Sequence, residues 1–219
     1  MSVRRPQWVA FDLNGTLLDL AALFDDRALD ELAVDALDDA MLQAMADTIT
    51  GVQRPFPDYL RAALERALRV AGKDEALLDG AMRRAAALPA FTGAADALGE
   101  IAGAGYEIAV VTNSAVDGAR RAVRAAGLDE HVSVVVGADE AGAYKPDARV
   151  YAHAARRLDV SPDRICLVAA HAWDVMGAMR AGWLGGWVAH RERYLLATMP
   201  EPTLCAPSLG EMAQALAGL

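Results

Sequence analysis

Four short apolar runs in this chain each lead to a polar or charged residue, and helical spacing follows each of them. Trp8-Val9-Ala10-Phe11 ends at Asp12, and Tyr106 to Val111 ends at Thr112-Asn113-Ser114. Val132 to Val136 leads through a loop, Gly137 to Ala143, to Tyr144-Lys145. Arg164 to Ala169 leads to Ala170-His171-Ala172-Trp173-Asp174. Runs of this length without polar alternation predict strands buried on both faces. Strands that alternate with helices pair in parallel, and their crossovers keep one hand, so all their carboxyl ends reach one edge of the sheet. The predicted class is therefore α/β, a doubly wound parallel sheet. Asp12, Thr112, Asn113, Lys145 and Asp174 converge on the edge where ligand crevices open in such sheets.

The first of these runs carries the most chemistry. Gly15 allows a sharp turn that aims backbone N–H groups at whatever Asp12 faces. A carboxylate beside such donors can attack an electrophilic carbon or phosphorus and form a covalent intermediate. A plain strand followed by an Asx-type turn would leave the same local signature.

Between the first run and the second the pattern is helical for about seventy residues, with no strand signal. Leu23 to Gly51 is rich in Ala, Leu, Met and Asp. Gly51 to Pro57 reads as a loop, because two prolines in that spacing interrupt a helix. Helices are predicted over Tyr59 to Ala71 and Glu75 to Leu88. An all-helical insertion over the carboxyl edge of a sheet is placed to act as a lid. After Thr92, helices are predicted over Gly93 to Ala104, Val116 to Gly127, Ala148 to Leu158 and from Asp174 to Ala181-Gly182. A fifth strand is predicted at Gly186 to Ala189, and a last helix over Leu209 to Leu216 with Ser208 as its N-cap.

Composition narrows the functional class. The net charge is −9, from 21 basic and 30 acidic residues. No basic run offers a footprint for nucleic acid or an anionic membrane, and no apolar run reaches transmembrane length. The beginning of the sequence lacks the apolar segment of a signal peptide. Cys166, inside an apolar run, and Cys205 make no disulfide framework. The sequence reads as a soluble, cytoplasmic protein of a reducing compartment.

The order of these motifs resembles the haloacid dehalogenase superfamily over essentially the whole length. Phe11-Asp12-Leu13-Asn14-Gly15-Thr16-Leu17 is similar to the family's first motif, whose first Asp is the nucleophile. Val111-Thr112-Asn113 is similar to the second. Tyr144-Lys145-Pro146-Asp147 is similar to the third, whose Lys holds charge at the nucleophile. Trp173-Asp174 with Gly177-Ala178 is similar to the fourth. The resemblance implies a Rossmann-like core, residues 1–20 and 90–219, and a helical cap, residues 21–89. It implies catalytic roles for Asp12, Thr16, Lys145 and Asp174, and substrate contacts from Leu13, Asn14, Thr112, Asn113, Tyr151, His171, Trp173 and Gln43. It also leaves a homodimer open.

Two positions separate the branches of that superfamily. Its Mg-dependent phosphatases carry a second Asp where Asn14 stands, and Asn does not exchange a proton at neutral pH. They carry another acid where Ala170 stands, and Mg²⁺ needs hard oxygen ligands. His171-Ala172-Trp173-Asp174, with Tyr151 six positions after Lys145, resembles instead the metal-free 2-haloacid dehalogenases. That branch has Tyr where Asn14 stands, two Ser and an Asn where Ala169, Ala170 and His171 stand, and an Arg near Gln43. The expectation is a hydrolase free of metal and cofactor, acting on a small 2-substituted carboxylic acid through an Asp12 ester. A Mg-dependent phosphatase and a non-catalytic relative are the alternatives. Singly, Trp173 and Tyr151 read as pocket wall or core, and His171 as a substrate contact or a structural group. Gln43 reads most simply as cap surface, and His131, His153 and His190 as surface or capping residues.

Overall fold

The computed structural model describes residues 4–219. Residues 1–3 of the expected core segment lie outside the described residues. The elements run β1 (Trp8–Phe11), α1 (Asp30–Ile49), α2 (Phe56–Val70), α3 (Leu77–Ala85), α4 (Ala94–Gly103) and β2 (Glu107–Thr112). Then come α5 (Val116–Ala125), β3 (Val134–Gly137), α6 (Ala138–Ala141), α7 (Ala148–Leu158), β4 (Ile165–Ala169) and α8 (Ala172–Arg180). The chain closes with β5 (Leu184–Val188), β6 (Leu204–Ala206) and α9 (Leu209–Ala217). Short 3₁₀ turns occupy Leu20–Leu23, Arg27–Leu29 and Pro162–Arg164.

All six strands are parallel, in the order β3-β2-β1-β4-β5-β6. Alternate residues of each central strand enter different cores. Val9, Phe11, Ile108, Val110, Cys166 and Val168 face one side with α4, α5 and α9. Trp8, Ala10, Ala109, Val111, Ile165, Leu167 and Ala169 face the other with α7 and α8. This double burial is why the strands show no polar alternation. The chain winds outward from β1 in both directions, so the carboxyl end of β1 is the switch point where such sheets open a crevice.

The block between β1 and α4 is helical throughout. Its apolar stripe on α1 is Ala33, Ala36, Leu37, Ala40, Met41 and Ala44, at helical spacing, and α2 packs against it. The block leaves and rejoins the sheet through adjacent strands of chain. Leu18 bridges Ala90, the Asp19 N–H donates to the Pro89 carbonyl, and the Phe91 N–H donates to the Leu17 carbonyl. Among the described residues, no helix is long and apolar enough to cross a membrane.

Several local expectations need correction. Residues 23–29 carry 3₁₀ turns rather than a continuous helix. The expected 51–57 loop is shorter, because Phe56 and Pro57 open α2, where a proline in the first turn loses no hydrogen bond. The 137–143 loop contains the single turn α6. The sequence reading has no sixth strand. β6 is a three-residue edge strand whose pattern is too short to register.

Candidate active site

Asp12 follows β1 directly, and its N–H donates to the Val168 carbonyl of β4, which fixes it between β1 and β4. The residue is 5% exposed. Lys145 arrives from the loop before α7 and is fully buried, with its Nζ 2.9 Å from Asp12 Oδ1 and 2.5 Å from Asp174 Oδ2. It also donates to the Val111 carbonyl at 2.8 Å. One ammonium therefore bridges two buried carboxylates, and its three donor hydrogens have three acceptors.

The other oxygen of each carboxylate is also held. Thr16 Oγ1 donates to Asp12 Oδ2 at 2.8 Å and accepts the Ala170 N–H at 3.0 Å. His171 Nδ1 lies 3.1 Å from the same Asp12 Oδ2. Tyr151 Oη donates to Asp174 Oδ1 at 2.7 Å. Gly177 on α8 makes room for that bond, since a Cβ there would come within 2.5 Å of Tyr151 Oη. Gly15 has φ +80° and accepts from His190 Nε2 at 3.0 Å. A Cβ on Gly15 would meet His171 Cε1 at 3.0 Å, so the turn and the histidine are fitted to one another.

This arrangement drives the two carboxyls apart. Burial alone raises an acid, but Lys145 and His171 outweigh it at Asp12 and hold that carboxyl well below the usual carboxylate range. At Asp174 burial prevails, and the neighbouring Asp12 charge adds to it, so Asp174 is raised despite Lys145 and Tyr151. Burial would lower Lys145, yet the two acids raise it and keep it an ammonium. Burial and the Asp174 charge push the Tyr151 phenol well above its ordinary value, so it stays a donor.

In front of Asp12 lies a small compartment of about 20 Å³, lined by Asp12, Asn14, Thr112, Asn113, His171 and Trp173 from the core. Leu37, Met41 and Phe56 close it from the helical block. That volume is room for about one water. Asn113 Oδ1 accepts the Lys145 N–H at 2.8 Å and so ties the second motif to the third. Asn14 Nδ2 donates to Ser114 Oγ at 3.1 Å. Among the described residues, no carbonyl or side chain accepts the N–H of Leu13 or Asn14. These are the backbone donors that the turn presents.

The sequence-derived residues thus fall into two layers. Asp12, Asn14, Thr112, Asn113, His171 and Trp173 line the compartment. Thr16 and Lys145 stand behind Asp12 and bond it, while Asp174 bonds Lys145 and Tyr151 bonds Asp174. Leu13 is buried, and its carbonyl accepts the N–H groups of Leu17 and Leu18. Gln43 is a correction. It is exposed, donates to Asp47 Oδ1 at 3.1 Å, and borders an outer groove of the helical block. The apolar stripe of α1 turns Leu37 and Met41 toward Asp12 and leaves Gln43 outside. His190 is a second correction, because it is half-buried, packed on Phe91 and bonded to Gly15 rather than lying at the surface. Leu37, Met41, Phe56 and Ser114 escaped the sequence reading. For the first two, the four-residue spacing on α1 was the available signal.

With Asn14 and Ala170 in place of acids, the carboxylates that this edge of the sheet offers a hard cation are Asp12 and Asp174. Among the described residues, no group of three His, Cys, Asp or Glu side chains is gathered as ligands. The space between the two acids is filled by the Lys145 ammonium.

A family model described as haloacid dehalogenase-like hydrolase matches residues 6–182. The chain belongs to the haloacid dehalogenase-like hydrolases. The hydrolase is 32% identical over 182 residues to (S)-2-haloacid dehalogenase 4A of Burkholderia cepacia, covering 79% of this chain and 78% of that one. It is 27% identical to a tyrosine-protein kinase of Mycobacterium tuberculosis, over 96% of this chain and 72% of the relative. A solved dehalogenase structure with an intermediate complex superposes on the hydrolase with a TM-score of 0.91. The two are 27% identical, with 99% of each chain covered.

Proposed function

We propose that this hydrolase removes the halogen from a small 2-halocarboxylic acid without metal or cofactor. Asp12 attacks C2 in line, the halide leaves with the bonding pair, and an ester joins Asp12 to the acid. The free N–H groups of Leu13 and Asn14, with Thr112 and Asn113, hold the substrate carboxylate. Trp173 walls the compartment beside the reacting carbon. Water then adds to the Asp12 carbonyl carbon, Asp174 takes its proton, and the 2-hydroxy acid departs. Thr16 and His171 donate to the oxygen on which charge develops in that second step.

The observation that carries this reading is the Lys145 bridge combined with the residues at positions 14 and 170. Asp12 is kept ionised by an ammonium, while Asn14 has no proton to give a phosphate leaving group and Ala170 has no ligand atom. Halide leaves as a weak base and needs neither. The same absence at position 14 argues against phosphoryl transfer of the kind named for the mycobacterial relative. The compartment is too tight for a halo acid, so Leu37, Met41 and Phe56 yield on binding, as a lid does.

The proposal divides the chain into a core, residues 1–20 and 90–219, and a cap, residues 21–89. The paired crossings at 17–19 and 89–91 support that division. It includes a homodimer and a cytoplasmic setting. The test is halide release from 2-chloropropionate with chelator present, beside hydrolysis of an aryl phosphate with Mg²⁺. Metal-independent halide release is expected. Mg-dependent phosphate release with no halide release would overturn the reading.

A further inference from the structure

We infer that the hydrolase prefers 2-halocarboxylic acids with a long apolar side chain, and that this chain lies in a separate cavity between cap and core. The inference rests on the reading above for the reacting end and on an independent feature for the tail. Beside the compartment is a cavity of about 430 Å³. Asn14, Leu37 and Phe56 line both spaces, so a molecule whose C2 faces Asp12 has a direct path from one into the other.

The cavity is apolar from both sides. Leu20, Leu23, Leu60 and Met82 come from the first turns and helices after β1, and Ala115 and Ala122 come from α5 and the residue before it. Its charged side chains are Asp117 and Arg121, both exposed. Its remaining polar side chains, Asn14 and Ser114, are hydrogen-bonded to each other at 3.1 Å and so ask little of a ligand. Once Leu37, Met41 and Phe56 yield, the reacting end accepts an acetate or propionate skeleton, which leaves this space unused. A methylene occupies about as much room as a water, ~30 Å³ in the liquid. Even half filled, the cavity takes about six or seven methylenes. Pockets of this size and lining ordinarily enclose the apolar part of a ligand.

Each buried methylene strengthens binding about fourfold. The first arm measures kcat/KM for halide release from 2-bromopropionate, 2-bromobutanoate, 2-bromohexanoate and 2-bromooctanoate. The second measures Kd by calorimetry for the unsubstituted acids from butanoate to octanoate, which needs no turnover. The expected result is a rise in both series of about fourfold per methylene, continuing to the eight-carbon acids. Ala85→Phe on α3 and Ala122→Phe on α5 intrude into the cavity, and either is expected to collapse the long-to-short ratio about tenfold or more. A wild-type Kd series that is flat or weakens with length would overturn the inference, whatever the variants do. If affinity rises with length but no acid of any length releases halide, the cavity assignment stands and the dehalogenation reading fails. If halide is released but kcat/KM falls with length, the dehalogenation reading stands and the inference fails.

Discussion

Replacing Lys145 by Met tests the electrostatic frame of the site. The Lys145 ammonium is wholly buried, with Asp12 at 2.9 Å and Asp174 at 2.5 Å, and those carboxylates are 8% and 0% exposed. Met has nearly the same volume, so packing changes little and the lost charge dominates. Breaking a buried ion pair by removing one partner costs about 3–5 kcal/mol, because the remaining charge is left uncompensated. Here two like charges are left. For a chain of this size, roughly 2–4 °C of Tm accompanies each kcal/mol, so a fall of about 6–20 °C is expected at pH 7. Without the ammonium, both carboxyls titrate above their unfolded values. Their contribution to stability is then present below about pH 4 and lost as pH rises, so the deficit shrinks as the solution is acidified. The assay is urea unfolding of wild type and variant from pH 4 to pH 8. Lys145→Met with Asp174→Asn, which removes one stranded charge, is expected to regain part of the loss. A deficit under 1 kcal/mol at pH 7, or one that grows toward pH 4, would refute the reasoning.

Other outcomes follow from the same geometry. Asp12 is held low and Asp174 is raised, so on acidification Asp174 protonates first. Ester formation should therefore persist to lower pH than ester hydrolysis, and mass spectrometry of acid-quenched enzyme should show the Asp12 adduct accumulating as pH falls. Asn14→Asp places a like charge beside Asp12 and the substrate carboxylate. At this half-buried position that costs roughly 1–2 kcal/mol, or about tenfold in kcat/KM for halide release. Asn14→Asp with Ala170→Asp restores an acid/base and a ligand, and Mg-dependent hydrolysis of an aryl phosphate should become measurable. Gln43→Ala should leave halide release within about twofold of wild type, because Gln43 faces Asp47 and solvent.

The parts of the site that follow strands were legible because their signal is local. Asp12, Thr112, Lys145 and Asp174 each lie at or beyond the end of a largely apolar run, and parallel pairing brings those ends to one edge. What closes the site from the cap was less legible. Whether Gln43 or Met41 of α1 faces Asp12 depends on the rotation of one helix against another, and a weakly patterned, Ala-rich helix fixes that rotation only through packing with α2. The contacts of His171 with Asp12 and of His190 with Gly15 depend on the fit of two loops after β4 and β5 against the β1 turn. No spacing along the chain encodes that fit. The edge strand β6 has three residues, fewer than a period-2 pattern needs to stand out.

The central claim is that Asp12 becomes an ester and is then hydrolysed at its own carbonyl. A single turnover of 2-chloropropionate in ¹⁸O-labelled water, with enzyme in excess, decides it. The account predicts that the peptide containing Asp12 gains one ¹⁸O while the first-formed 2-hydroxy acid carries unlabelled oxygen from the enzyme. Labelled product with an unlabelled Asp12 would mean direct attack by water, and would contradict the account.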